Sequence, residues 1–270
     1  YFPGEDLYSH VTWKNCLDLQ YLEVAELPPE VLGLDGVQAL IVPGTLVDLS
    51  GVETFRQLRF VSVNTFLNTP RRRGYRPLDF APLTRLPELT HLNINVREFA
   101  GPRALDPIGR IASLRALDIF EWTYADLSAL SNLTQLEHLR IGGRNIPDLN
   151  ALSRLGNLRV LDVQGNRELT DVSGISGLRR LEELNLRWTN VADVSALYSL
   201  GALRYVNLAD TRVADISPLR GKRRLEVLSL SKSRVVDLSA LGACPALRVL
   251  DISQTGIADI TRLSACRRLE

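Results

Sequence analysis

Hydrophobic positions recur in this chain with a period near 22 residues. Leu181-Glu-Glu-Leu184-Asn-Leu186 is followed by Leu203-Arg-Tyr-Val206-Asn-Leu208, Leu225-Glu-Val-Leu228-Ser-Leu230 and Leu247-Arg-Val-Leu250-Asp-Ile252. Earlier units start at Leu158, Leu136 and Leu114, and weaker ones at Leu89, Leu58, Val37 and Leu19, which makes eleven units. The alternation within L-x-L is the period of a strand with one buried face. About four residues carry it, so no single unit can bury its own apolar set. Stacked neighbours would instead share one parallel sheet and one continuous core. A spacing of about 4.8 Å per strand gives a solenoid of roughly 50 Å.

After the strand, each unit places a small polar residue, then apolar-x-Asp-apolar-Ser/Thr and two further leucines, as in Thr189-Asn-Val191-Ala-Asp193-Val194-Ser195-Ala-Leu197-Tyr-Ser-Leu200. This segment predicts a capped single turn, helical or 3₁₀, on the return side of each layer. The whole unit resembles the 22-residue leucine-rich repeat of bacterial proteins such as the internalins and the sensor ends of STAND-type signalling NTPases. The resemblance covers residues 19 to 270. It implies an α/β solenoid, a leucine-rich repeat horseshoe with a parallel concave sheet and short turns on its convex side. Residues 1–18 are expected to be an N-terminal cap or linker.

Two periodic ladders read as structural. The second position of successive units runs Arg115, Glu137, Arg159, Glu182, Arg204, Glu226, Arg248, Glu270, alternating in sign at ion-pair spacing. One aspartate per unit recurs at Asp48, Asp79, Asp126, Asp148, Asp171, Asp193, Asp215, Asp237 and Asp259. These acids are expected to cap turns. They lack the glycine-rich context of a calcium-binding repeat.

The residues between the leucines face outward and define the candidate site. The outward set that suggests a partner surface is His91, Arg97, Asp118, Phe120, Glu121, Trp122, His138, Arg140, Arg187, Trp188, Tyr205 and Asp210. Asp118, Arg140 and Asp162 are expected to pair along the sheet. Phe120, Trp122, Trp188 and Tyr205 are expected to lie wholly or partly outside with arginines nearby, and Trp, Tyr and Arg most often dominate protein interfaces. Gly142, Gly143 and Gly165 would leave a shallow depression between these aromatics. The ninth position is small and polar at Asn166, Thr189, Thr211, Ser233 and Thr255 but becomes Arg97, Trp122 and Arg144 in the middle units. An insertion at 67–77 carries Arg71, Arg72, Arg73, Tyr75 and Arg76, a basic loop suited to phosphate or to an acidic partner.

Charge and composition narrow the function. The 270 residues hold 32 basic and 31 acidic side chains, a net charge of +1, which argues against a nucleic-acid partner. No apolar run reaches membrane-spanning length. The start lacks a secretory signal pattern and the chain has no methionine, so it reads as part of a longer or processed protein. Cys244 and Cys266 fall where other units place a buried leucine. Three scattered cysteines suit a reducing, cytoplasmic setting, or a secreted one if a signal peptide lies upstream. His10, His91 and His138 form no zinc motif, and no phosphate-binding or nucleophile motif occurs. The expectation is therefore a protein-recognition module without cofactor, metal or catalytic residues. Its protein partner would seat on the concave face. By resemblance, the module would belong to a STAND-type NTPase, or to an internalin-like adhesin, or to an effector enzyme whose catalytic domain lies outside this chain.

Overall fold

A computed structural model describes residues 15–21, 26–43, 46, 48–64, 78–96 and 101–270. Eleven parallel strands form one sheet in strict sequence order. They are β1 (Cys16–Asp18), β2 (Ala39–Pro43), β3 (Phe60–Asn64), β4 (His91–Asn95), β5 (Ala116–Trp122), β6 (His138–Gly143), β7 (Val160–Asp162), β8 (Glu183–Asn185), β9 (Tyr205–Asn207), β10 (Val227–Ser229) and β11 (Val249–Asp251). From β2 onward each strand starts at the third position of a repeat unit. β1 precedes Leu19, so the sheet begins ahead of the unit expected there.

Strict repetition of the pattern fixes the register. Equivalent residues pair across every junction, as in Leu161 with Leu184 and Leu184 with Val206. The leucines of all layers merge into a continuous buried core from Leu19 to Cys266. In the last layer Leu250, Ile252, Ile257, Leu263 and Leu269 are only partly buried.

The return side consists of 3₁₀ turns of three to five residues, one per layer from Val52–Thr54 to Thr261–Ala265. The aspartate ladder holds them. Each Oδ1 accepts the backbone N–H two residues on: Asp48 from Ser50, Asp79 from Ala81, Asp126 from Ser128, Asp148 from Asn150 and Asp171 from Ser173. Asp193, Asp215, Asp237 and Asp259 do the same for Ser195, Ser217, Ser239 and Thr261. The bond satisfies an amide that the short turn leaves orphaned. These hydrogen bonds hold the carboxyls of Asp48, Asp126, Asp171, Asp237 and Asp259 below the usual carboxylate range.

The charge ladder forms discrete pairs between adjacent layers. Arg115 meets Glu137 at 2.6 Å, Arg159 meets Glu182 at 2.5 Å, Arg204 meets Glu226 at 2.8 Å and Arg248 meets Glu270 at 3.0 Å. The side chains are largely exposed, so each pair contributes only a few tenths of a kcal/mol and mainly reinforces register.

The ninth position closes the turn after the strand. Hydroxyls of Thr189, Thr211 and Thr255 donate to the carbonyls of Leu186, Leu208 and Ile252, and Asn166 Nδ2 donates to Val163 and Ile141. Cys244 and Cys266 are buried free thiols in leucine positions, donating to the carbonyls of Leu219 and Leu241. Lys222 occupies the same phase and is buried as well. Its Nζ donates to Tyr198 O at 2.9 Å, and burial pulls its pKa down. Nothing in the local sequence distinguishes Lys222 from a solvent-facing lysine, and only the repeat phase marks it as a core position.

Candidate partner-binding face

The outward residues of β4–β9 form registered rows across the sheet. The third-position row runs His91, Ala116, His138, Val160, Glu183, Tyr205 and Val227. The fifth-position row runs Asn93, Asp118, Arg140, Asp162, Asn185 and Asn207. Curvature and close stacking bury much of this face despite its polarity: Asp118, Asp162, Asn185 and Asn207 are all buried. Arg140 Nε lies 3.3 Å from Asp162 Oδ2 with both side chains nearly covered, and Asp162 also accepts the Gln164 amide. Asp118 sits beside Arg140 in register. This row is mainly internal structure of the sheet.

His91 and His138 are partly buried, and desolvation pushes both below the usual histidine range. Both imidazoles are therefore neutral at pH 7. His138 Nδ1 is buried without a hydrogen-bond partner. Glu183 is also half-buried, and its Oε2 has no partner. Burial, reinforced by the neighbouring Glu182 charge, raises its carboxyl to about 7. Sequence reasoning placed Glu183 on the outward face but did not single it out, because composition carries no measure of how deep an outward side chain sits.

In the β5 layer and the β8–β11 layers the eighth position takes a left-handed backbone conformation: φ is +57° at Glu121, +59° at Trp188, +54° at Asp210, +56° at Lys232 and +54° at Gln254. Gly165 fills the same place at +82°. The left-handed residue reverses the chain out of the strand, a role that suits glycine and short polar residues. Trp188 stands out among them because it is bulky, 43% exposed and capped by Arg187, whose guanidinium lies 3.9 Å from the ring centroid. Tyr205 is partly exposed, with Arg204 at 5.3 Å from its ring and its hydroxyl 3.4 Å from Glu226. Phe120 is partly exposed on β5.

Trp122 corrects the expectation. It was placed with the outward aromatics, but it is fully buried. The register between β5 and β6 shifts between Ile119 and Trp122, and Glu121 is left-handed there. One residue is thereby added to β5 relative to β6, as in a bulge, and Trp122 points into the core, as Thr189 and Thr211 do after the left-handed Trp188 and Asp210. Its ring meets Tyr124 edge-on at 5.2 Å. Of the three glycines expected to leave a depression, Gly143 is corrected. A Cβ on Gly143 would lie 2.2 Å from the Trp122 carbonyl oxygen, so glycine is required there by close backbone approach rather than by an opening. Among the candidate residues, Arg97 and the basic loop Arg71, Arg72, Arg73, Tyr75 and Arg76 lie outside the described residues.

Among the described residues no group of three or more His, Cys, Asp or Glu side chains is placed to hold a metal ion. No helix among them is long and apolar enough to cross a membrane.

No family model matches this sequence, and no curated protein matches it. Solved structures do. An internalin, InlF from Listeria monocytogenes, aligns over 87% of this chain and 73% of its own, with a TM-score of 0.69 and 22% identity. Internalin C2 from the same organism covers 66% of this chain and 85% of its own, with a TM-score of 0.57 and 24% identity. The plant peptide hormone receptor RGFR1, in complex with RGF2, covers 96% of this chain and 45% of its own, with a TM-score of 0.62 and 17% identity. The likeness is one of fold: the chain is a leucine-rich repeat solenoid.

Proposed function

We propose that this solenoid is a protein-recognition module, not a catalyst, and that its partner seats on the outward face of β6–β9 and on the turn row just beyond it. The observation that carries the reading is Trp188. A non-glycine residue in the left-handed region costs roughly 1–2 kcal/mol, and this one leaves a tryptophan 43% exposed. Equivalent layers meet the same backbone requirement with Asp210, Lys232, Gln254 or Gly165. A tryptophan kept there and flattened under Arg187 has the composition of an interface hot spot. Tyr205, Arg187 and Asp210 lie on the same or the next layer and extend the contact area. The complex of RGFR1 with RGF2 supports the reading, since a protein of this fold takes a separate ligand.

Such a module would serve as the ligand sensor or scaffold of a larger protein, such as a STAND-type NTPase. A phosphate-binding motif encoded upstream in the gene would support that setting, and a secretory signal there would point to an adhesin instead. The recognition role is tested by immobilising the wild-type module and its Trp188→Asn variant side by side in extract of the source cells. Asparagine tolerates the left-handed conformation, so the melting temperature should hold or rise slightly. Proteins retained by the wild type should be lost from the variant by at least tenfold. Equal retention by both would end the assignment of this face.

A further inference from the structure

The third-position row holds a carboxylate with no ion-pair partner among the described residues. Glu183 stands on β8 between Val160 of β7 and Tyr205 of β9, its direct neighbours across the sheet. The basic groups around it are engaged elsewhere. Arg159 binds Glu182 through Nε and Nη2, and Arg204 binds Glu226 through Nε and Nη2 at 2.9 and 2.8 Å. Arg140, one row away, is paired with Asp162. Glu183 makes no ion pair among the described residues, and its Oε2 is buried without a donor. A buried acceptor in that state is costly until a donor arrives, and a charged donor suits a carboxylate best.

We propose that Glu183 is the seat for a basic side chain, arginine or lysine, of the protein partner. The inference rests on the recognition reading above and supplies the chemistry of one partner residue. Val160 and Tyr205 flank the carboxylate, one on each side, and offer apolar surface to the methylene stem of a long basic side chain. A guanidinium has the planar fork that engages both carboxylate oxygens. The raised pKa of Glu183, caused first by burial, fits a carboxylate whose charge is poorly compensated until a cation arrives. The charged groups around it are Glu182, the residue just before β8, Arg159 just before β7, Asp162 at the end of β7, and Arg204 just before β9; Glu182 raises its pKa and Arg204 lowers it. His138 lies two layers away on β6 and is neutral at pH 7.

The test needs no identified partner. Acetyl-arginine amide is titrated into the intact module at pH 7.5 while the side-chain carboxyl carbon of Glu183 is followed by NMR, with acetyl-citrulline amide as the neutral isostere. In a pH titration repeated at saturating probe, acetyl-arginine amide should lower the Glu183 midpoint by about a unit, consistent with an opposite charge brought within contact distance. The citrulline probe should leave it in place. Glu183→Gln should abolish the arginine-dependent chemical-shift changes at Val160 and Tyr205, and Glu182→Gln should retain them. An arginine response that survives Glu183→Gln, or a midpoint unmoved at saturating probe, overturns the proposal. The two readings fail separately. If Trp188→Asn loses the captured partner while Glu183→Gln retains it, only the basic-side-chain seat falls. If both variants retain the partner, the docking face falls with it.

Discussion

The layers around β5 and the layers from β7 to β10 build the same solenoid by different means. In β7–β10 each strand is three residues long, and the ninth position is a small polar residue, bonded back to the strand carbonyl in the layers of Asn166, Thr189 and Thr211. The layer closes on itself and exposes whatever occupies the eighth position. At β5 the strand runs to seven residues, the turn is shifted by a bulge, and the ninth residue is Trp122, sealed in the core. Two tryptophans one position apart in the repeat frame thus have opposite fates. Trp188 is presented to solvent by a left-handed backbone, and Trp122 is swallowed because the preceding residue took that conformation. What a side chain does in this fold follows from its phase relative to the left-handed residue, not from its polarity.

The largest expected effect breaks the comparison at Trp122. Trp122→Ala should cost about 3–5 kcal/mol, the range for emptying a large buried aromatic site, read by denaturant melts of the whole domain. A loss below about 1 kcal/mol would mean that the ring is not part of the core. Trp188→Asn, by contrast, should cost nothing measurable in the same melts, so the pair separates an interior tryptophan from a displayed one.

The next effect concerns Glu183. A carboxyl whose folded pKa is raised contributes stability that is complete below its unfolded pKa of about 4.3 and is lost as pH climbs through its folded value of about 7. The free module should therefore be less stable at pH 8 than its Glu183→Gln variant. The expected margin is about 1–2 kcal/mol after allowing for partial exposure and screening, and it should shrink to nothing near pH 4. A pH-independent difference between the two would show that Glu183 is not held in an unfavourable setting.

A smaller effect tests the return side. Asp171→Ala removes one turn cap and should cost about 1 kcal/mol. The sign of its pH dependence is opposite to that of Glu183. Its carboxyl is held low by the Ser173 hydrogen bonds, so its contribution is present above pH 4 and is lost as pH falls through the depressed folded value. Melts of wild type and Asp171→Ala should converge in acid; divergence there would contradict the capping role.

Much of this architecture was legible because the repeat compares each position with ten others. The starts of β2–β11, the aspartate caps, the buried Cys244 and Cys266 and the Arg–Glu pairs all follow from phase alone. Where the chain keeps its period, phase is as good as a coordinate. The left-handed turn at the eighth position was not legible, because it falls on Glu121, Trp188, Asp210, Lys232 and Gln254, residues with no shared composition cue. Trp122 was misplaced as a direct consequence. Arg140 and Asp162 were expected to pair and do so, yet their burial was not visible, since an outward position in a tightly stacked sheet is covered by its neighbours. The significance of Glu183 was missed for the same reason. Trp188 was legible as an outward aromatic, but its backbone conformation, which makes it an anomaly, required the coordinates.

The most direct test of the docking face is oxidative footprinting of the module alone and with its captured partner, read residue by residue. Tyr198 lies on the opposite, return side and is 62% exposed, so it serves as an internal reference. Oxidation of Trp188 and Tyr205 should fall at least several-fold in the complex while Tyr198 is unchanged. Protection of Tyr198 with Trp188 left fully reactive would contradict the account.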